Sequence, residues 1–215
     1  MGISSSGGAN SPLSGGLGNL IFYVSGGRQL SRMKGRTGKT AKTPAVKSNR
    51  EGFGKIQNWL NPLKSVLELG FKNNIPHTGA MALAFSFLSR NARTGKGAEA
   101  VIHPEKMRIS IGDLPVPTAA SAELDGQELV LTWDTSLSGS QSSAFDQVLL
   151  AAYEVEEKFA VCLTQGLFRR DGGVRIPLSE PGTYHLYLGM VAKNSSRQGD
   201  GIYLGEFKVS SVSID

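Results

Sequence analysis

The chain has 215 residues, 40% of them apolar, which excludes a wholly disordered protein and allows one ordinary core with an extension or two small ones. A single cysteine excludes an internal disulfide, and no apolar run approaches the roughly 18 residues of a membrane-spanning helix. The net charge of +5 conceals two opposite halves: residues 1–108 carry 16 Lys and Arg against 4 Asp and Glu, a net of +12, while 109–215 carry 7 against 14, a net of −7. Such asymmetry suits a basic arm that meets a polyanion, a binder of anionic surfaces, or a subunit whose basic half docks on the acidic half of another copy.

In chain order, the Gly- and Ser-rich stretch SSSGGANSPLSGGLG (4–18) reads as a flexible or extended tail. Its opening, MGISSS, spells a myristoylation pattern but is too short a match to carry weight. No cationic head with a long apolar stretch follows, so synthesis in the cytoplasm without an ordinary signal peptide is expected. The sequence leaves the final location open, extracellular or particle-associated sites included. Next comes NLIFYVSGGRQLSRMK. Leu20, Ile21, Phe22, Tyr23 and Val24 form a short strand with apolar residues on both faces, and Gly26-Gly27 is a hairpin turn. A hairpin is not stable alone, so this arm needs cover from its own chain or from another copy.

Residues 28–50 hold eight cations (Arg28, Arg32, Lys34, Arg36, Lys39, Lys42, Lys47 and Arg50) and no acid. They read as an exposed linker, with Arg28, Arg32, Lys34, Arg36, Lys39 and Lys42 as candidate polyanion contacts that would act by counterion release. The stretch itself has no aromatics for base stacking. Ser48 and Glu51 fit a capping box, and Phe53, Ile56, Trp59, Leu60, Leu63, Val66 and Leu67 follow at helical spacing. Pro62 breaks or kinks that helix and Gly70 stops it. GAMALAFSFLSRNAR fits either a strand or a helix, and its alanines favour the helix. From Met107 onward the pattern becomes MRISIG, TAASAEL, ELVLTW, QVLLAAY, FAVCL, GVRIPL, TYHLYLGMVA and IYLGEFKVSSVSI, short segments split by turns, as in an antiparallel sandwich.

The chemistry-bearing motifs point away from catalysis. Gly38-Lys39-Thr40 ends like a phosphate loop, but the loop's first glycine would fall at Met33 and no apolar helix follows. His77, His103 and His185 stand alone and read as loop or strand-surface residues rather than metal ligands. Cys162, between Val161 and Leu163, reads as a buried strand thiol with no activating base. Glu154, Glu156 and Glu157 read as a solvated cluster rather than paired catalytic carboxylates. No Gly-x-Ser-x-Gly elbow occurs.

Two resemblances complete the reading. ELVLTWD and TYHLYLGMVAKNSSRQGDGIYLGEFKV resemble a fibronectin type III or immunoglobulin-like module, with Trp133, Tyr184 and Tyr187 at the positions of its core aromatics. The whole chain resembles an uncharacterised family of about 200-residue proteins of Bacteroidota. The stretches that carry this are GGLGNLIFYVSGGRQLSRMK, the helix opening between Arg50 and Phe53, LNPLKSVLELGF, RISIGDL, LTWD, FDQVLLAAY and the late YLG. Ala45-Val46-Lys47 stands where that family usually has a Gln.

The expected fold is therefore mainly β: an N-terminal β-hairpin arm and basic linker (1–47), two to three short helices (48–105), and an immunoglobulin-like sandwich (106–215). The expected function is non-enzymatic self-assembly through Leu20, Ile21, Phe22, Tyr23 and Val24, into a homo-oligomer, ring or filament. A polyanion- or nucleic-acid-binding module is the alternative. No cofactor, metal, membrane span or small-molecule substrate is expected.

Overall fold

The structure is a computed structural model that describes residues 13–25, 27–35, 43–73, 78–137 and 141–210. The chain divides into two units, Met1–Thr43 and Pro44–Asp215.

The first unit is a small antiparallel sheet in the order β1-β2-β3, with β1 at Gly15–Leu17, β2 at Leu20–Ser25 and β3 at Arg28–Met33. The hairpin expected at Leu20 to Met33 is present, with Gly27 in the left-handed region at φ 73°. The glycine-rich tail, in contrast, contributes a strand: Gly15, Gly16 and Leu17 pair with Phe22, Ile21 and Leu20. Gly18, at φ 58°, makes the tight reversal that allows it. Arg36, Lys39 and Lys42 lie outside the described residues.

In the second unit, α1 (Pro44–Leu60), a 3₁₀ turn (Asn61–Leu63) and α2 (Lys64–Gly70) run in line, followed by α3 (Ala80–Asn91). The helix does not begin at a Ser48 capping box. It starts four residues earlier, with Pro44 in the first turn, where proline's fixed φ fits and its missing N–H costs nothing. The end of the basic segment is thus helical, and Glu51 lies 3.9 Å from Lys47 rather than reaching back to Ser48. Phe53 is not part of the buried stripe: it is 57% exposed and stacks on Phe85 with ring centroids 4.6 Å apart. Ile56, Trp59, Leu60, Leu63, Val66 and Leu67 are buried as their spacing predicts.

A two-residue pair, β4 (Arg93–Thr94) and β5 (Val101–Ile102), leads into seven longer strands. These are β6 (Ser121–Asp125), β7 (Glu128–Thr132), β8 (Gln147–Glu154), β9 (Phe159–Leu163), β10 (Gly173–Pro177), β11 (Gly182–Val191) and β12 (Ile202–Val209). They form two antiparallel sheets, ordered β10-β7-β6 and β12-β11-β8-β9. The stretch MRISIG is not a strand. Its backbone groups bond outside any ladder, with Ile111 donating to Gly70 at the end of α2 and Gly201 donating to Ser110. Pro115 and Pro117 prevent a longer ladder there.

The four-stranded sheet is covered on both faces. On β8, Val148, Leu150 and Ala152 join Leu129, Leu131 and Ile176 of the three-stranded sheet in one core, while Leu149, Ala151 and Tyr153 join α1, α2 and α3 in another. β11 alternates in the same way, so Tyr184 and Tyr187 do not share a core. Tyr184 faces the three-stranded sheet and Tyr187 faces the helices. Double coverage explains why QVLLAAY is an unbroken apolar run, the pattern of a strand with no solvent face. The helical region 48–105 and the β region 106–215 accordingly share one core.

Burial reaches polar groups that composition places outside. Glu154 is 1% exposed and accepts the Glu157 N–H at 2.5 Å, closing its own turn instead of joining a solvated cluster. His185 is 9% exposed, with Nδ1 2.9 Å from the Tyr203 hydroxyl, and is not a surface histidine. His103 sits at a strand end, 2.9 Å from Thr94 Oγ1, and His77 lies outside the described residues. Cys162 is half-buried, and burial pushes its thiol up from the ordinary range.

Candidate assembly surface

The N-terminal sheet holds the arm residues together, and its register sorts them. Directly opposed residues of antiparallel strands point to the same face. Leu20 lies opposite Leu17 and Met33, Phe22 opposite Gly15 and Ser31, and Val24 opposite Gln29. That face is uncharged. Leu17, Leu20, Val24 and Met33 are 68%, 41%, 47% and 73% exposed, so most of its apolar surface remains in water. Gln29 closes one end of it, its side chain accepting the Leu13 N–H at 3.1 Å across β2.

The other face has a different chemistry. Ile21 lies opposite Arg32, Tyr23 opposite Leu30, and Ser25 opposite Arg28. Two guanidinium groups thus flank a short stripe of Ile21, Tyr23 and Leu30. Lys34 follows β3, its N–H donating to the Asn19 carbonyl at 2.6 Å, and its side chain is exposed. The five strand residues expected from the sequence therefore divide, with Leu20, Phe22 and Val24 on the apolar face and Ile21 and Tyr23 on the cationic one.

Leu17, Leu30 and Met33 belong to the surface and were not legible as site residues. Leu17 is hidden among glycines, and Leu30 and Met33 are separated by polar residues that blur the alternation. Register, which only pairing reveals, groups them. The same register gives the cations the aromatic neighbour that the basic stretch itself lacks, Tyr23 on the adjacent strand.

β3 stands last in the sheet order, so among the described residues its outer edge pairs with no further strand, and all six of its residues are exposed. A thin sheet with two open faces and an open edge holds little of its apolar area away from water. Among the described residues, no three His, Cys, Asp or Glu side chains gather as a metal site, and no helix is long and apolar enough to cross a membrane.

A two-sheet β unit covered by helices, with a thin apolar and cationic sheet ahead of it, is the class of architecture defined here. The chain belongs to the DUF6266 family of unknown function, whose model matches residues 13–205. That match begins in the N-terminal sheet, so the arm is part of what the family model describes. Among curated proteins, none matches the chain.

Proposed function

We propose that the protein is a non-enzymatic assembly subunit that self-associates through its N-terminal sheet. The observation that carries this reading is the uncharged face of Leu17, Leu20, Phe22, Val24 and Met33, exposed at all but the half-buried Phe22, beside an open strand edge. Such a surface is covered by strand addition or face-to-face packing with another copy. Burying a side chain of this size fully contributes up to about 1.5–3 kcal/mol, so a handful suffices for a stable contact. The charge layout adds direction: a basic first half and an acidic second half attract each other between copies, and a head-to-tail contact of that kind makes rings or filaments.

The larger unit is read as a fibronectin type III or immunoglobulin-like sandwich with helices added to one face. What supports this is seven antiparallel strands in sheets of three and four around one core, and the Tyr184 hydroxyl donating to the Glu180 carbonyl at 2.8 Å. A tyrosine bonded to the backbone a few residues upstream is a hallmark of such sandwiches. Lettered in chain order, the sheets are E-B-A and G-F-C, with the remaining strand, β9, beside β8 rather than beside β10.

Light scattering and negative-stain imaging of the full chain, and of a chain lacking residues 1–43, test the assembly reading. The full chain is expected to form oligomers that the shortened one does not, while both keep the same near-UV spectrum. Oligomers that survive the deletion overturn it. The second reading, polyanion binding, has its own observation in Arg28 and Arg32 flanking Tyr23 on one face. Retention of nucleic acid by the full chain, lost on Arg28→Glu with Arg32→Glu while oligomers persist, would favour it instead.

A further inference from the structure

Within the second unit a cavity of about 350 Å³ opens between α1, β5 and the turn that joins β8 to β9. This is within the usual range of small-molecule pockets, about 300–1,000 Å³. Its walls are mainly apolar: Trp59 from α1, Ile102 from β5, Tyr153 from the end of β8 and Val155 from the turn that follows. The Trp59 and Tyr153 rings meet edge to face, with centroids 4.8 Å apart. Such a wall accepts a flat or compact apolar body.

Among the described residues, the only charged ones lining the cavity are Lys55 and Lys158. Neither forms an ion pair among the described residues, and Lys55 Nζ only donates to the Ala98 carbonyl at 3.1 Å. The nearest acid in sequence to Tyr153, Glu154, has its carboxylate engaged by the Glu157 N–H and packs against Gly182.

The turn that rims this cavity has an unusual backbone. Lys158 holds φ at 58°, a left-handed conformation in which a turn alone would favour Gly or Asn, and which costs a lysine roughly 1 kcal/mol. Tyr153 itself is fully buried, so its ring backs this wall, and its hydroxyl, without a hydrogen-bond partner among the described residues, does not face the cavity. Burial, with the charge of Glu154 adding to it, pushes that hydroxyl up to about 12, so it stays protonated.

We propose that the cavity binds a small aromatic carboxylate, its ring against Trp59, Ile102 and Val155 and its anionic group between the ammonium groups of Lys55 and Lys158. A neutral apolar ligand would fill the same walls but leave the two cations without a partner. A doubly charged or strongly hydrated anion would lose the walls. The combination selects one anionic end on one apolar body.

The test uses 2-naphthoate as probe and 2-naphthalenemethanol as its neutral counterpart, read by nuclear magnetic resonance of the two indole N–H groups in the full chain. Trp59 reports the cavity. Trp133 is the internal reference, because it lies in the other core with its N–H held by the Arg169 carbonyl at 2.8 Å. Saturable movement of the Trp59 signal alone is expected, with a dissociation constant between about 10 μM and 1 mM. The neutral compound, and Lys55→Gln with Lys158→Gln, should each bind about tenfold or more weakly. Two results would overturn the proposal: no Trp59 response to naphthoate, or equal binding of the neutral compound with no effect of the lysine substitutions. Both lysines are exposed, so these variants are expected to fold.

Discussion

Arg169 and Asp146 face each other inside the β region, Nε to Oδ2 at 3.8 Å, with side chains 1% and 3% exposed. Together they bond to four residues that lie outside the named strands. The Asp146 carboxylate accepts the N–H groups of Ser143 and Lys193, the Arg169 guanidinium donates to the Pro115 carbonyl, and the Arg169 carbonyl accepts the Trp133 indole. A buried pair of this kind adds little net stability over an apolar filling, yet breaking one side is expensive.

The two halves of that pair are therefore unequal. Asp146→Ala leaves a guanidinium buried without its counter-charge and frees two backbone donors, and is expected to cost about 3–5 kcal/mol in urea unfolding. Arg169→Met leaves a carboxylate that keeps its two backbone partners, and is expected to cost less. Equal losses would show that the carboxylate's backbone bonds contribute nothing.

Glycines separate sharply by position. A Cβ on Gly70 would stand 2.0 Å from the Ile109 carbonyl oxygen and 2.7 Å from Ser110 Cβ, backbone and near-backbone atoms that cannot swing away. Gly70→Ala is expected to destabilise by about 1–3 kcal/mol or more, as α2 is forced off the segment it touches. Gly54, inside α1 with open space where its Cβ would be, gives the opposite sign, a gain of up to about 1 kcal/mol on Gly54→Ala. Thermal midpoints of the two variants check both.

Burial holds the His185 imidazole below its ordinary value of 6.5, against the opposing pull of Glu206, Glu105 and Glu154. The folded chain then binds fewer protons than the unfolded one in this range. The resulting stability is fully present above the ordinary value and is lost as pH falls through it towards the folded one, with a slope of at most about 1.4 kcal/mol per pH unit. Urea midpoints from about pH 7.5 to 5.5 should fall for the native chain and fall less for His185→Gln. Parallel profiles would remove His185 as the source.

The two faces of the N-terminal sheet should respond differently. Leu20→Asp with Val24→Asp places charges on the apolar face and is expected to dissolve oligomers without changing the fold of Pro44–Asp215. Arg28→Gln with Arg32→Gln, on the opposite face, should leave oligomers intact at high salt and weaken them only at low salt, where the charge attraction is unscreened. Sedimentation at two ionic strengths distinguishes the outcomes.

Much of the architecture is local in origin and was legible from residues alone. The Leu20 to Met33 hairpin, the buried stripe from Ile56 to Leu67, the helix over Ala80–Asn91 and the seven strands from Ser121 onward follow from alternation, 3.6-residue spacing and turn glycines. These signals report which residues share a face. They do not report what covers that face. Only the tertiary structure decided that the helices lie on the sheet's second side, that Tyr184 and Tyr187 enter different cores, and that Glu154 and His185 are buried. It also decided that MRISIG makes its backbone bonds outside any ladder, that Gly15–Leu17 becomes a strand, and that Lys55 and Lys158 meet at one cavity. Apart from Gly15–Leu17, whose partner Leu20–Phe22 is close but whose glycines hide the alternation, the deciding partner lies far away in sequence, so no local pattern could carry it.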